Sequence, residues 1–332
     1  MSDAGVEVVI ALADFVRHDR RPLALLEESG RAFRLNTSGV RPDRETLPEL
    51  AKGAAGIVAG AEVYDAAMLD RLPALRCISR CGVGVDNIDL EAARARGIAV
   101  LNTPAETTEA VAELALTFIL ALHRNLVRQA ASMRHREWVR PESHLLAGRR
   151  VALIGLGRIG RRLVELLTPF GVRLTGVDPF PDLAWCAVFG VTPLPLADAL
   201  AGADVVSIQA AIDPTHPLRL GATEFALMRR GAMLVNVARG SLVDEEALHA
   251  AVSSGHLAAA ALDVYADEPY RGPLCDLESV ILTPHSATDA VESRVAMETK
   301  AVENLLRFLA GGLGAGDFVV PPGPPRSAAP SA

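Results

Sequence analysis

Short runs of apolar residues alternate along the chain with stretches in which apolar residues recur at the spacing of an α-helix. Apolar runs of about four to seven residues that alternate with helices are typical of parallel sheets covered by helices on both faces. A long Ala-rich helix, predicted over residues 108–124, divides the runs into two series, which indicates an α/β fold with two doubly wound parallel-sheet domains. The predicted strands are residues 6–13, 32–36, 56–60, 76–79 and 98–102 in the first series, and 151–155, 173–178, 204–210, 232–238, 260–265 and 280–284 in the second.

One more helix follows the second series, over residues 287–309. Its apolar residues, which include Val291, Val295 and Val302, recur at roughly helical spacing. The pattern leaves open which of the two domains this helix packs on. Beyond it, residues 321–332 are rich in proline and lack periodicity, and we predict that they are disordered.

Composition and charge narrow the class of protein. The 332 residues suffice for about two domains of about 150 residues each. The formal net charge is −7 and the charged residues are dispersed, which argues against a nucleic-acid-binding protein because such a protein needs a basic face. No apolar run approaches the ~18 residues of a membrane-spanning helix, and the start lacks a signal-peptide pattern, so we expect a cytoplasmic protein without a membrane partner.

The four cysteines show no pattern of a metal site. No CxxC pair occurs, and the spacing of Cys77 and Cys81 is not matched by a His or Cys cluster elsewhere. We therefore expect reduced thiols and no bound metal.

Residues 155–160 read GLGRIG, a Gly-x-Gly-x-x-Gly turn between a predicted strand and a predicted helix. Gly155 permits the tight turn, and Gly157 lets backbone N–H groups approach a pyrophosphate. Gly160 lets the helix pack close to the sheet, and the start of that helix adds partial positive charge beside the phosphates. The turn therefore predicts a Rossmann domain that binds a dinucleotide.

The residues around this turn indicate which dinucleotide is bound. Arg158 and Ile159 begin the helix and are expected to lie beside the cofactor. Asp178 ends the next predicted strand, 18 residues after Gly160, where a carboxylate binds the ribose hydroxyls and repels a 2′-phosphate. The sequence therefore predicts NAD rather than NADP.

Three candidate catalytic residues each follow a predicted strand of the second series: Arg239, Glu268 and His285. Because ligands of open α/β sheets bind at the carboxyl ends of the strands, we expect these side chains at the edge that carries the glycine turn. Arginine offers a planar fork for a carboxylate, and a carboxylate beside an imidazole stabilises its protonated form. The set suits hydride transfer to an anionic carbonyl substrate.

With its motifs in this order, the chain resembles the D-isomer-specific 2-hydroxyacid dehydrogenase family, in its D-3-phosphoglycerate dehydrogenase-like branch and its short form without a C-terminal regulatory domain. The resemblance implies a flavodoxin-like substrate domain, residues 1–103 plus 284–320, and an inserted Rossmann NAD-binding domain, residues 104–283. The crossings between the two domains imply a hinged cleft. The motifs are SRCGVGVDNIDLEAARARGIAVLNTP (79–104), VALIGLGRIG (151–160), VNVARGSLVDEEAL (235–248), AALDVYADEP (260–269) and ILTPHSA (281–287).

The resemblance also implies roles for the catalytic residues. Arg239 corresponds to the arginine that binds the substrate carboxylate and carbonyl oxygen. His285 corresponds to the acid/base that protonates the ketone oxygen during reduction, and Glu268 to the acid paired with it. The backbone N–H groups of Val83 and Gly84 correspond to the loop that receives the substrate carboxylate.

Further positions are implied on the cofactor and the substrate. Asp263 corresponds to the acid that contacts the nicotinamide amide, with the carbonyl of Ala238 nearby, and Thr108 to a position near the cofactor. Arg80 and Arg124 stand where basic residues hold a substrate phosphate in phosphoglycerate dehydrogenases, although salt bridges or dimer contacts would explain them equally well.

Two stretches depart from the family pattern. The loop after the third strand often carries an Arg-Ser pair, whereas this chain has Ala59 and Gly60, with Glu62 close by. This departure leaves open whether the substrate is phosphoglycerate or another 2-hydroxy acid. After the strand at 204–210 the family usually has His-x-Pro, and here Gln209–Ala211 replace it.

The expected function is an NAD-dependent oxidoreductase, similar to 3-phosphoglycerate dehydrogenase, that interconverts a D-2-hydroxy acid and its 2-keto acid by hydride transfer. The alternatives are a hydroxypyruvate, glyoxylate or phosphonopyruvate-type reductase, and, from another class, an NAD-sensing corepressor-like binding protein. The resemblance also implies a homodimer, for which the apolar stretch 111–122 and the segment after it look suited. Trp138 in that segment is expected to pack between the domains.

Overall fold

The computed structural model describes residues 7–213 and 215–322. The chain divides into two compact units, the first formed by Met1–Thr107 with Ala290–Ala332 and the second by Thr108–Asp289. The division into a substrate domain and an NAD-binding domain, with boundaries after residues 103 and 283, stays a prediction. The predicted disordered tail lies outside the described residues from residue 323 onward.

Strands and helices alternate through most of the described residues. The strands are β1 (Val8–Ile10), β2 (Phe33–Leu35), β3 (Gly56–Ala59), β4 (Cys77–Arg80), β5 (Ala99–Leu101), β6 (Arg150–Ile154), β7 (Arg173–Val177), β8 (Val191–Pro193), β9 (Val205–Ile208), β10 (Ala232–Asn236), β11 (Leu257–Leu262) and β12 (Val280–Leu282). The helices are α1 (Arg21–Glu28), α2 (Thr46–Leu50), α3 (Ala66–Asp70), α4 (Leu90–Ala95), α5 (Thr108–His123), α6 (Leu126–Arg134), α7 (Arg158–Leu167), α8 (Leu183–Phe189), α9 (Leu196–Gly202), α10 (Ala222–Leu227), α11 (Glu245–Ser253) and α12 (Val291–Leu309).

The first unit is built on a five-stranded parallel sheet with the order β2-β1-β3-β4-β5, which is the flavodoxin-like order. Its last helix, α12, packs on this sheet, since Val302 and Leu305 share a buried cluster with Val8 and Ile10. A β-carbon on Gly56 in β3 would overlap the side chain of Leu305, so glycine there allows the close approach. This settles which unit the helix belongs to.

The second unit is built on a seven-stranded parallel sheet with the order β12-β11-β10-β9-β6-β7-β8. The order in which the strands are added reverses between β6 and β9, as in Rossmann folds. The predicted α/β class with two doubly wound parallel sheets is therefore confirmed.

Two strands of this sheet differ from the prediction. β8 was not predicted, because it is a three-residue edge strand that contains Pro193, a residue unable to donate a ladder hydrogen bond. β11 begins at Leu257 and ends at Leu262, whereas residues 260–265 were predicted. Its sequence LAAAAL lacks the β-branched residues that mark a strand.

The segment after α5 is more exposed than expected. Trp138 was expected to pack between the domains, and this is wrong because its side chain is 80% exposed. Leu126, Met133 and Leu145 are exposed as well. The apolar stretch 111–122, in contrast, is largely buried in the core of the second unit.

Among the described residues, no single helix is long and apolar enough to cross a membrane. Taken together, α5 and α6 are long and apolar enough by length and composition alone, but the two helices are bent by 66° relative to each other.

Candidate active site

The glycine turn follows β6, next to the point where the strand order of the second unit reverses. Gly155 has a φ of 99°, and a β-carbon there would lie 2.7 Å from the backbone nitrogen of Ala210. L-residues rarely adopt such a φ. At Gly160 a β-carbon would overlap the carbonyl oxygen of Gly155. Both positions therefore require glycine if strand, turn and helix are to pack together.

Gly157 is a glycine for a different reason. No heavy atom lies within 4 Å of the place where its β-carbon would be. α7 begins at the next residue, Arg158, so the free backbone N–H groups of its first turn adjoin this open space. Open space before a helix N-terminus, at the switch point of an open α/β sheet, fits the pyrophosphate of a dinucleotide.

Asp178 directly follows β7 and is held in one orientation by two backbone groups. Its Oδ2 accepts the N–H of Leu156 at 2.9 Å, and its Oδ1 accepts the N–H of Phe180 at 2.9 Å. Each carboxylate oxygen can accept a second hydrogen bond. The side chain therefore has the acceptors that ribose hydroxyls need, at the end of the strand beside the glycine turn.

Glu268 and His285 form a hydrogen-bonded pair. Nδ1 of His285 lies 2.8 Å from Oε2 and 3.0 Å from Oε1 of Glu268. The side chains of His285 and Glu268 are 49% and 38% exposed respectively, so the pair is accessible from solvent. Because Nδ1 faces the carboxylate, Nε2 is the ring atom left to exchange a proton with a substrate.

Asp263 holds the segment that carries His285. This fully buried carboxylate accepts the hydroxyl of Thr283 at 2.5 Å and the backbone N–H of Ser286 at 2.8 Å through Oδ1, and the N–H of Ala287 at 2.9 Å through Oδ2. His285 itself has a φ of 54°, which is uncommon for a non-glycine residue and is sustained only by well-anchored neighbours. Asp263 anchors the turn on both sides of the histidine.

Arg239 projects from the turn that follows β10. Buried Asn236 shapes this turn, because its side chain accepts the N–H of Ala238 at 3.1 Å and donates to the carbonyl of Arg239 at 2.9 Å. Nη1 of Arg239 donates to the carbonyl of Ala238 at 2.7 Å. The side chain is half-buried and follows a strand of the sheet that carries the histidine pair.

The remaining residues predicted in the second unit have varied surroundings. Ile159 packs against the apolar core beneath α7. Thr108 is the first residue of α5. Arg124 is exposed just beyond the end of that helix. Gln209, in the stretch that departs from the family pattern, donates to the hydroxyl of buried Ser207 at 2.6 Å.

Val83 and Gly84 lie in the loop that follows β4 in the first unit. Buried Thr103 fastens the start of this loop, since its hydroxyl accepts the N–H of Gly82 at 2.8 Å and its own N–H donates to the Gly82 carbonyl at 3.0 Å. Asn102 donates to the carbonyl of Val83 at 2.8 Å. The loop backbone is therefore fixed in place.

The loop after β3, in the same unit, carries a buried acid. Glu62 is only 4% exposed and accepts the N–H of Gly60 at 2.7 Å. Burial raises the pKa of Glu62, and the positive charges of Arg80 and Arg41 act in the opposite direction. Arg80 ends β4, and its guanidinium packs over Gly82, where a β-carbon would lie 2.5 Å from Nη1. An acid thus stands close to the arginine predicted to bind substrate.

Sequence reasoning did not single out two residues that shape the site. Asn236 lies in the VNVARG motif, where an asparagine at the end of an apolar run indicates a turn with side-chain hydrogen bonds. Tyr265 lies in the ALDVYADEP motif and gives no such signal, because a tyrosine after a strand is usually a core residue.

Comparison with known proteins places these motifs in a family. Residues 116–287 match the family model described as D-isomer specific 2-hydroxyacid dehydrogenase, NAD binding domain. D-3-phosphoglycerate dehydrogenase of Mycobacterium tuberculosis is 36% identical over 274 residues, which cover 81% of this chain and 52% of that protein. The chain spans about half the length of the curated relatives it matches.

Solved structures resemble the chain over most of its length. A protein from Thermus thermophilus is 34% identical with a TM-score of 0.84, and the match covers 95% of this chain and 100% of that one. A glyoxylate reductase from Paecilomyes thermophila is 26% identical with a TM-score of 0.82, over 96% of this chain and 98% of that one.

Proposed function

This chain belongs to the D-isomer-specific 2-hydroxyacid dehydrogenase family, and on that basis we propose that it is an NAD-dependent oxidoreductase that interconverts a D-2-hydroxy acid and its 2-keto acid. The matched NAD-binding domain and the fit of the glycine turn to a pyrophosphate support NAD as the cofactor. When bound, NAD accepts the hydride in the oxidation and NADH supplies it in the reduction.

The proposed roles follow from the chemistry of each side chain. Nε2 of His285 donates a proton to the ketone oxygen during reduction and takes it back during oxidation. Glu268 stabilises the imidazolium and fixes the ring through Nδ1. Arg239 binds the substrate carboxylate and polarises the carbonyl group. Contributions of Arg80, Arg124, Val83 and Gly84 to substrate binding stay predictions.

The observation that carries this proposal is the hydrogen bond between Glu268 and His285. The two residues follow β11 and β12, and the glycine turn follows β6. Because all strands of this sheet are parallel, these segments emerge at one edge of it. The Glu268–His285 pair can transfer a proton, and it lies at the same edge of the sheet as the glycine turn that fits a dinucleotide. This placement supports hydride transfer coupled to proton transfer.

The substrate is proposed only as a class. A curated relative is named D-3-phosphoglycerate dehydrogenase, and one structural relative is a glyoxylate reductase. Ala59, which ends β3, and Gly60, which follows it, offer no basic group, and Glu62 adds a buried carboxylate in the loop after β3. These residues favour an unphosphorylated 2-keto acid over a phosphorylated one.

A panel of 2-keto acids tests the function. We expect oxidation of NADH, in preference to NADPH, with at least one of hydroxypyruvate, glyoxylate, phosphohydroxypyruvate and phosphonopyruvate. His285→Ala and Arg239→Ala should each lower kcat/KM by about 100-fold or more, whereas His249→Ala, on α11 of the same unit, should leave it unchanged.

Two outcomes would contradict the proposal. Robust turnover by His285→Ala would exclude the acid/base role of that residue. Tight NADH binding without turnover of any 2-keto acid would favour an NAD-sensing binding protein instead.

We also propose that the chain forms a homodimer through the exposed apolar side chains after α5. Leu126, Met133, Trp138 and Leu145 lie in this segment, and exposed apolar groups of this size mark interaction surfaces. Light scattering at micromolar concentration should give a dimer, and Leu126→Glu combined with Trp138→Ser should shift it toward the monomer. The cytoplasmic location remains a prediction from the sequence.

A further inference from the structure

Tyr265 contacts all three segments that carry the proposed catalytic residues. We propose that it is the positioning residue that holds the Glu268–His285 pair in register with the turn of Arg239. The inference rests on the roles proposed above for these three residues.

The hydroxyl of Tyr265 reaches the histidine segment. It lies 2.8 Å from the carbonyl oxygen of Thr283 and 3.1 Å from that of Leu262, and its single proton is donated at the shorter of these distances, to Thr283. The Thr283 carbonyl also accepts the backbone N–H of His285 at 3.0 Å. One carbonyl group therefore links the tyrosine hydroxyl to the backbone of the histidine, whose positive φ needs such anchoring.

The backbone of Tyr265 reaches the other two segments. Its N–H donates to Oε1 of Glu268 at 3.2 Å, the oxygen that also lies 3.0 Å from Nδ1 of His285. On its other side, its carbonyl group lies against Gly240, the residue after Arg239, so closely that a β-carbon would overlap it. Tyr265 thus fixes the carboxylate and supports the arginine turn with its own peptide groups.

The side chain of Tyr265 is buried and packed against a second ring, and its hydroxyl is a donor. It is 8% exposed and stacks on Tyr270, with ring centroids 4.6 Å apart and planes inclined by 17°. Burial raises the pKa of Tyr265, and the charge of Asp263 acts in the same direction. A tyrosine is ordinarily protonated at neutral pH, and a raised pKa keeps the hydroxyl of Tyr265 a donor there.

A buried tyrosine could serve packing alone, and the chain offers a matched control for that case. Tyr270 is the other ring of the stack, but its hydroxyl accepts the N–H of Leu274 at 3.3 Å and makes no hydrogen bond to the histidine pair. Tyr265→Phe and Tyr270→Phe each remove one hydroxyl and keep the stacked ring. Only the first should affect the chemistry.

Two readouts separate positioning from packing. We expect Tyr265→Phe to lower kcat by about fivefold to tenfold, the worth of one hydrogen bond, with KM changed by less than about twofold. The second readout is the downfield proton resonance of His285 Nδ1–H in the cofactor-free protein, which is identified by its loss in His285→Asn. In Tyr265→Phe this resonance should broaden or disappear. Tyr270→Phe should leave kcat and the resonance unchanged, and melting temperatures report any loss of folding.

Either of two results would overturn the inference: Tyr265→Phe with wild-type kcat and an unchanged resonance, or equal losses in both tyrosine variants. If no 2-keto acid is turned over by the wild-type chain, the proposed function fails. The resonance still decides whether Tyr265 positions the pair.

Discussion

Gly240 lies directly against the backbone carbonyl group of Tyr265, with no room for a β-carbon between them. The two residues belong to the turns after β10 and β11, so this contact sets how closely the arginine turn approaches the segment that leads to Glu268. A glycine beside a proposed catalytic arginine is therefore a packing requirement here.

Gly240→Ala should reduce both stability and activity. A β-carbon would overlap the Tyr265 backbone, which cannot move as a flexible side chain can, and overpacking of this kind costs about 1–3 kcal/mol or more. Thermal unfolding and kcat/KM measure the effect. Gly202→Ala, at the end of α9 with no atom near its β-carbon, should unfold at the wild-type temperature.

The glycines of the turn should separate cofactor binding from folding. Gly157→Ala places a methyl group in open space, so we expect a wild-type melting temperature but NADH binding weakened by about tenfold or more. Gly160→Ala should instead lower the melting temperature, because its β-carbon meets the Gly155 carbonyl. Fluorescence titration measures the Kd for NADH, and calorimetry measures the melting temperature. An equal loss of stability in both variants would contradict the different roles assigned to Gly157 and Gly160.

Asp178→Asn should relax the preference for NADH. Loss of the negative charge after β7 removes the repulsion of a 2′-phosphate, and the ratio of the Kd for NADPH to that for NADH should fall by about tenfold. Asp182→Asn is the matched control, since it changes the net charge equally and asparagine can still cap α8. A fall of the same size in the control would show that only the overall charge matters.

Glu62→Gln should improve the use of phosphorylated substrates. The variant removes a buried carboxylate close to Arg80 and leaves a side chain of similar shape, so kcat/KM for phosphohydroxypyruvate relative to hydroxypyruvate should rise by about tenfold. Asp43→Asn, at an exposed position in the same unit, should not change this ratio. A ratio that is unchanged in Glu62→Gln would exclude Glu62 as a determinant of specificity.

Stability should fall in acid partly through His123. Burial lowers the pKa of His123, whose Nδ1 lies 2.9 Å from the carbonyl oxygen of Ile119. The unfolded chain therefore binds more protons below about pH 6.5, the ordinary pKa of histidine, and the stability present above that pH is lost as the pH falls toward the folded pKa.

Urea unfolding at several pH values measures this dependence. His123→Gln should show a smaller fall in unfolding free energy on acidification than the wild-type chain. His249→Gln, on α11 and outside the proposed dimer segment, should show the wild-type fall. A wild-type fall in both variants would assign the acid sensitivity to other groups.

The strands β6, β9 and β10 were predictable because their apolar runs are bounded by turn residues, whereas the bounds of β11 were not. GLGRIG identified the cofactor turn through residue types that only a tight βα connection needs, and the structure places Gly155 and Gly160 where a β-carbon does not fit. The pairing of Glu268 with His285 was implied by resemblance and is present as a hydrogen bond. Their catalytic roles remain predictions.

Features that depend on tertiary contacts were not predictable. β8 is defined by its pairing with β7 and not by its own three residues. The hydroxyl of Tyr265 and the carboxylate of Asp263 act on residues 283–287, which are about 20 positions away in the sequence. A local sequence pattern does not indicate contacts between residues so far apart. The hydrogen bonds of Tyr265 and Asp263 to the His285 segment could therefore be identified only in the structure.

The position of α12 has a consequence for the order of folding. The helix lies at the far end of the chain, yet Val302 and Leu305 complete the apolar cluster that contains Val8 and Ile10. During synthesis, the sheet of the first unit therefore emerges from the ribosome long before the helix that covers one of its faces. The second unit, which is continuous in sequence, is complete before that helix has been made. Until α12 has been synthesised, the apolar side chains of β1 that pack against it stay uncovered and can aggregate. A chain that ends before residue 291 should therefore be insoluble.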